Sequence, residues 1–131
     1  GTALFITVLA LLGLAGLVAT RRMGLVRTAT ERALADGEVG SVVEEIDELP
    51  EGARPNAFNL AVRTIWDSHR RGLAIELIRA MGERLSGEWI AQYWIRQALE
   101  VEPGLARETF GETFMERYYK PRIAQQCGTF G

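Results

Sequence analysis

The hydrophobic pattern of this chain begins with an apolar run that no charge interrupts, from Thr2 to Thr20. As a helix, this run would span roughly 28 Å, close to the hydrocarbon thickness of a bilayer. A helix is also the one single-segment structure that satisfies its own backbone hydrogen bonds in lipid. We therefore expect residues 1–20 to form an N-terminal transmembrane helix.

Two other interpretations of the run fit the sequence less well. A cleaved signal peptide needs a basic region before the run and a small-x-small site after it. Nothing basic precedes Thr2, and the run ends in Val18-Ala19-Thr20 before Arg21. A core helix of a soluble protein is rarely apolar on all sides over this length. The pattern therefore favours a membrane span.

Basic residues at one end of the run indicate its orientation. Arg21, Arg22 and Arg27 follow the run and are expected to anchor it at the membrane interface. The positive-inside rule then places the N-terminus outside and the C-terminal part in the cytoplasm. Only Lys120 of the fifteen basic residues is lysine, a bias typical of GC-rich genomes. We therefore expect a single-pass protein of a bacterial inner membrane.

Small residues recur within the run at Ala10, Gly13, Gly16 and Thr20. Such residues let two helix backbones approach closely, which favours packing against another membrane helix. They are also common in any apolar span, so simple lipid contact is the alternative. The run carries no ionisable side chain, and we expect neither a haem ligand nor a proton relay there.

Beyond the run, apolar residues at three- and four-residue steps predict further helices and no strand. Residues 21–38 are expected to continue the first helix as one rod that reaches Asp36 and stops at Gly37. A soluble helical domain follows over residues 39–120, and residues 121–131 are predicted to form an extended tail. The predicted fold class is all-α, with one transmembrane helix followed by a bundle of antiparallel helical hairpins.

Capping residues and helix breakers predict where the later helices begin and end. Ser41 to Glu44 has the pattern of a capping box at the start of a helix. Pro55 suits the first turn of the next helix. The expected helix ends lie at Pro50, Gly72, Ser86-Gly87, Pro103-Gly104 and Pro121.

Two segments between residues 55 and 104 share a known pattern: Trp66 with the stretch Gly72–Leu77, and the stretch Ala98–Pro103. The first resembles the turn and second helix of a tetratricopeptide-like hairpin. The second resembles the end of such a repeat, where an acidic residue and a proline close the helix. The resemblance implies antiparallel hairpins with a groove that binds proteins, and no enzymatic activity. No second copy falls in register about 34 residues after Ala74, where Glu108 stands. The resemblance therefore covers about one and a half repeats.

Acidic and aromatic residues are the candidates for partner contacts. The helix after residue 39 has an acidic face that includes Glu44, Glu45 and Glu48; it is either solvated or docks on a basic partner surface. Most aromatic rings are expected in the core. Trp89 and Tyr119 are candidates for exposure, where they would anchor a protein interface or lie against lipid headgroups.

Composition and chemistry point away from catalysis. A formal charge of −2 gives no attraction to nucleic acid. One histidine, His69, and one cysteine, Cys127, cannot supply a zinc site, and no glycine-rich loop cradles phosphate. We expect no catalytic residue, cofactor, metal, small-molecule substrate or nucleic-acid partner. A nucleophile pair of His69 and Cys127 stays open as an alternative.

Three hypotheses for function follow. The first is a non-catalytic accessory subunit of a larger membrane protein complex, such as a photosynthetic or respiratory assembly, whose partners are other membrane subunits and the lipid bilayer. The second is a free-standing, membrane-tethered adaptor that binds peptides or soluble proteins in a groove between hairpins. Lining of that groove by Arg63, Arg70, Arg79 or Arg96 would favour the second. The third is an enzyme with an unrecognised site.

Overall fold

The structure is a computed structural model that describes residues 2–120, without the side chains of residues 2, 3, 5, 9 and 11–20. The helices are α1 (Thr2–Asp36), α2 (Gly40–Asp47), α3 (Arg54–Asp67), α4 (Arg71–Arg84), α5 (Trp89–Val101) and α6 (Pro103–Tyr118). A 3-10 turn, Glu51–Ala53, precedes α3. Because the described residues contain no strand, the predicted all-α class is confirmed.

The predicted transmembrane helix is wrong. In the described part of the chain, no helix combines the length and the apolar character that a membrane crossing needs. The apolar run forms the first half of the 35-residue helix α1, whose second half carries six charged residues. The single-pass, inner-membrane location and the orientation with the N-terminus outside are wrong for the same reason. Of the run's described side chains, Leu4, Ile6 and Val8 are exposed.

Arginine side chains from later helices complete the C-terminal ends of α1 and α2. At the end of α1, Gly37 adopts a positive φ of 77° and donates its N–H to the Ala33 carbonyl, as the sequence predicts. Arg70 donates from Nη1 to the Leu34 carbonyl at 2.8 Å. Arg54 likewise donates to the carbonyls of Leu49 and Asp47 at the end of α2. The otherwise unpaired carbonyls of each helix end are thus satisfied by the next hairpin.

Three predicted helix boundaries differ from the structure. The capping box over Ser41–Glu44 does not form, because α2 begins earlier and Val39 caps it without a side-chain hydrogen bond. Gly72 does not close a helix: α3 ends at residue 67, His69 turns the chain with a φ of 63°, and Gly72 lies in the first turn of α4. Pro103 begins α6 in addition to ending α5.

Contacts between alternate helices show that they run in the same direction. A Cβ at Gly72, near the start of α4, would lie 3.7 Å from Leu105 near the start of α6. Gly82 approaches Phe114, and each is the twelfth residue of its helix. The last residues of α2 and α4 are also joined, by an ion pair from Arg84 Nε to Asp47 Oδ2 at 3.0 Å. Successive helices therefore form three antiparallel hairpins, α1/α2, α3/α4 and α5/α6.

The three hairpins stack in chain order. Within residues 2–120, each helix contacts only the helices one and two places away along the chain. Helices α1, α3 and α5 form one layer, and α2, α4 and α6 form the other. One hydrophobic core runs through the stack from Val26 to Phe114. The described residues thus form three stacked hairpins, whereas the sequence resemblance covers one and a half repeats.

Candidate functional site

An apolar groove separates α1 from α3, the first helices of two successive hairpins. Its volume is about 640 Å³, within the range of small-molecule and peptide pockets. It is lined by Met23, Gly24, Val26, Arg27, Thr30, Glu31, Ala57, Leu60, Ala61 and Thr64. The α3 wall, from Ala57 to Thr64, is about two helical turns long. We call this site the α1–α3 groove.

The floor of the α1–α3 groove is made of small, buried side chains. Val26, Ala57 and Ala61 are almost completely buried, and they hold the two helices together without filling the space above them. The Thr30 hydroxyl donates to the Val26 carbonyl at 2.8 Å, so this one polar side chain of the floor is already satisfied. The floor therefore offers dispersion contacts and presents no unmet hydrogen-bonding group.

Missing side-chain volume opens the groove on the α1 wall. Gly24 lines this wall, and a Cβ built on it would meet no described atom within 4 Å, so the space beside it is open. Opposite it on α3, Leu60 leaves 50% of its surface exposed. Thr64 also lines this wall, and its hydroxyl donates to the Leu60 carbonyl at 2.8 Å. An exposed leucine beside an unfilled gap is a surface that a second apolar group can cover.

Two charged residues stand at the rim of the groove. Arg27 and Glu31 both line it, and both are exposed. They are the only ionisable residues among those that line it. Chemically, the groove can bury apolar surface and pair with charges at its rim.

The other chemistry considered from the sequence lies elsewhere. His69 is exposed in the turn between α3 and α4, outside the groove, and Cys127 lies outside the described residues. In the part of the chain that the structure describes, no three His, Cys, Asp or Glu side chains are grouped so that they could hold a metal ion.

The candidate partner contacts are scattered over the surface. Trp89 is 73% exposed at the start of α5. Tyr119 is half-buried against the core. On α2, Glu44 is exposed, Glu45 is half-buried, and Glu48 lies 3.7 Å from Arg22 in an exposed ion pair. None of these residues lines the α1–α3 groove.

Other candidates from the sequence are placed as follows. Of the expected interface anchors, Arg21 is exposed on α1, and Arg27 alone lines the groove. Of the small residues in the apolar run, Ala10 is exposed. Gly13, Gly16 and Thr20 lie in the part of α1 where only the backbone is described.

The groove does not have the arginines that the sequence suggested for it. Arg63, Arg70, Arg79 and Arg96 all lie away from it. Arg70 caps α1, and Arg79 donates to the Phe110 carbonyl at 3.4 Å. The sequence indicates the position of the groove only weakly, through Ala57 and Ala61 one turn apart on α3 and Gly24 within α1. Small residues of this kind also mark close helix packing, so they do not identify a groove by themselves.

Comparison of this chain with protein-family models, with curated proteins and with solved structures finds no match. A binding site is therefore inferred from the geometry of the α1–α3 groove itself.

Proposed function

We propose that this chain is a non-catalytic adaptor that holds an amphipathic helix of a partner protein in the α1–α3 groove. The observation that carries the proposal is the groove itself: an apolar surface two turns long, open between two helices of successive hairpins. The partner helix would lay apolar side chains over Gly24 and beside Leu60. This is the helix-in-groove mode, in which residues at helical spacing act as anchors.

A helix suits this groove better than an extended peptide does. An extended peptide exposes backbone N–H and C=O groups, which need polar partners when they are buried. The floor of the groove supplies no free donor, because the Thr30 hydroxyl gives its proton to the Val26 carbonyl and the other floor residues are apolar. The walls are helices whose backbone groups are paired internally, so strand addition is excluded as well. A helix satisfies its own backbone and needs only apolar contact.

Selection from a library of displayed amphipathic helices tests the proposal. The full chain is the target, and the affinity of each enriched helix is then measured by fluorescence anisotropy. Gly24→Leu adds a side chain to the α1 wall of the groove, at a position where a Cβ would meet no described atom within 4 Å. Gly104→Leu is the matched control, because Gly104 is also an exposed helical glycine with no atom within 4 Å of a built Cβ.

We expect Gly24→Leu to weaken binding about tenfold or more, as loss of a central contact does. Gly104→Leu should bind as the unchanged chain does. Equal affinity of both variants, or no enrichment of helices by the unchanged chain, would contradict the proposal.

A second candidate function, a structural subunit of a larger protein assembly, draws support from Trp89. Trp89 leaves 73% of its surface exposed to water, which is energetically unfavourable for a large apolar ring unless a partner covers it. If the chain is such a subunit, Trp89→Ala should release it from the assembly it is isolated with, while Glu88→Ala should not. Retention of both variants would count against this role.

A further inference from the structure

The rim charges of the α1–α3 groove form an ordered pair on one wall. Arg27 and Glu31 are four residues apart on α1, so they lie on the same face, one above the other. Among the described residues, neither makes an ion pair with the other or with a third side chain. Both charges are therefore available to a ligand in the groove.

The opposite wall of the groove carries no charge. The residues that α3 contributes are alanine, leucine and threonine. A ligand thus meets a positive group and then a negative group along α1, and only uncharged groups along α3. The ionisable side chains that line the groove therefore all come from α1.

We propose that the α1–α3 groove selects partner helices that carry an opposite-charge pair beside their apolar stripe. An acidic residue would lie level with Arg27, and a basic residue about one turn away would lie level with Glu31. This inference rests on the proposed adaptor function and adds the charge pattern of the partner to it. The charges would act mainly on specificity, because a partner helix with a basic residue level with Arg27, or an acidic residue level with Glu31, would be repelled.

The size of the effect is that of partly exposed ion pairs. Each correct pairing is expected to improve affinity about two- to fivefold, and the apolar stripe supplies the rest of the binding. Reversing one rim charge should therefore change which helices are selected without abolishing selection.

The test uses a library of helices in which the apolar stripe is fixed and the flanking positions are random. The unchanged chain should enrich one acidic and one basic residue four positions apart. Such pairs also stabilise any isolated helix, so the decisive readout comes from variants. Arg27→Glu should enrich two basic residues at these positions, and Glu31→Arg should enrich two acidic residues. Arg63→Glu, which reverses an exposed charge of α3 outside the groove, should keep the original preference.

The outcomes separate this inference from the proposed function. Suppose that Gly24→Leu weakens the binding of the selected helices, but the unchanged chain and all the charge variants enrich the same flanking residues. That result would overturn the inference and leave the adaptor function standing. Failure to enrich any helix whose binding Gly24→Leu weakens would overturn both.

Discussion

Helices α4 and α6 meet in the same way as α1 and α3 do, because each pair joins corresponding helices of successive hairpins. Between α4 and α6, the space is filled. A Cβ at Gly82 would lie 2.8 Å from Cζ of Phe114, and the rings of Phe110 and Phe114 stack with centroids 5.0 Å apart. Between α1 and α3, the corresponding space is open, and a Cβ at Gly24 would meet nothing within 4 Å.

The two glycines show that one residue type serves opposite purposes in one architecture. Gly82 is buried and gives up its side chain so that the ring of Phe114 can approach α4. Gly24 is exposed, and a Cβ there would meet no described atom within 4 Å. Stacking of hairpins creates a space between alternate helices, and the volume of the neighbouring side chains decides whether that space becomes core or groove.

Removing the stacked ring should have the largest effect, because it opens the filled interface. Phe110 is 1% exposed, so Phe110→Ala removes a fully buried ring and leaves a cavity. We expect the free energy of unfolding to fall by about 3–5 kcal/mol. Urea denaturation measures this change. A loss below about 1 kcal/mol would show that the α4–α6 interface is not the tightly packed part of the stack.

Adding one methyl group to the filled interface should have the next largest effect. In Gly82→Ala, the new Cβ would overlap the ring of Phe114, which is stacked on Phe110 and is not a flexible chain end. Overpacking costs about 1–3 kcal/mol, and the better helix propensity of alanine offsets about 1 kcal/mol of it. The net result should be a lower free energy of unfolding, measured by the same denaturation experiment.

The same change on the open side should have the opposite sign. Gly24 is helical and exposed, and its Cβ position is unobstructed. Gly24→Ala should therefore raise the free energy of unfolding by about 0.5–1 kcal/mol, through helix propensity alone. Destabilisation by Gly24→Ala comparable to that of Gly82→Ala would show that the groove is closed in solution.

The smallest change in stability is expected at the α3 wall of the groove. Leu60 keeps half of its surface exposed, so Leu60→Ala should lower the free energy of unfolding by less than about 1 kcal/mol. The same variant should weaken the binding of selected helices clearly, because Leu60 would be covered in the complex. Unchanged affinity would show that Leu60 is not part of the binding surface.

Local patterns in the sequence predict the helices of this chain well. Apolar spacing indicates every helix after the apolar run, and Gly37 marks the end of α1 correctly. The turn before α4 is missed because a non-glycine residue, His69, makes it with a positive φ, whereas the prediction looked for a glycine there. Gly72 attracts the prediction instead, although it lies inside a helix where Leu105 approaches closely.

The groove and the role of the apolar run depend on tertiary structure that the sequence does not display. Gly24 and Gly82 cannot be distinguished until the neighbours of each are known. The run from Thr2 to Thr20 has the length of a membrane span, but in the described part of the chain no helix meets the length and apolar character that a crossing needs.

Methyl and indole N–H chemical shifts of the full chain, recorded during titration with a selected amphipathic helix, test the central claim most directly. If the α1–α3 groove is the binding surface, the largest shift changes will fall on the methyl groups of Val26, Ala57 and Leu60. Changes centred on the indole of Trp89, with these groove methyls unmoved, would contradict the account.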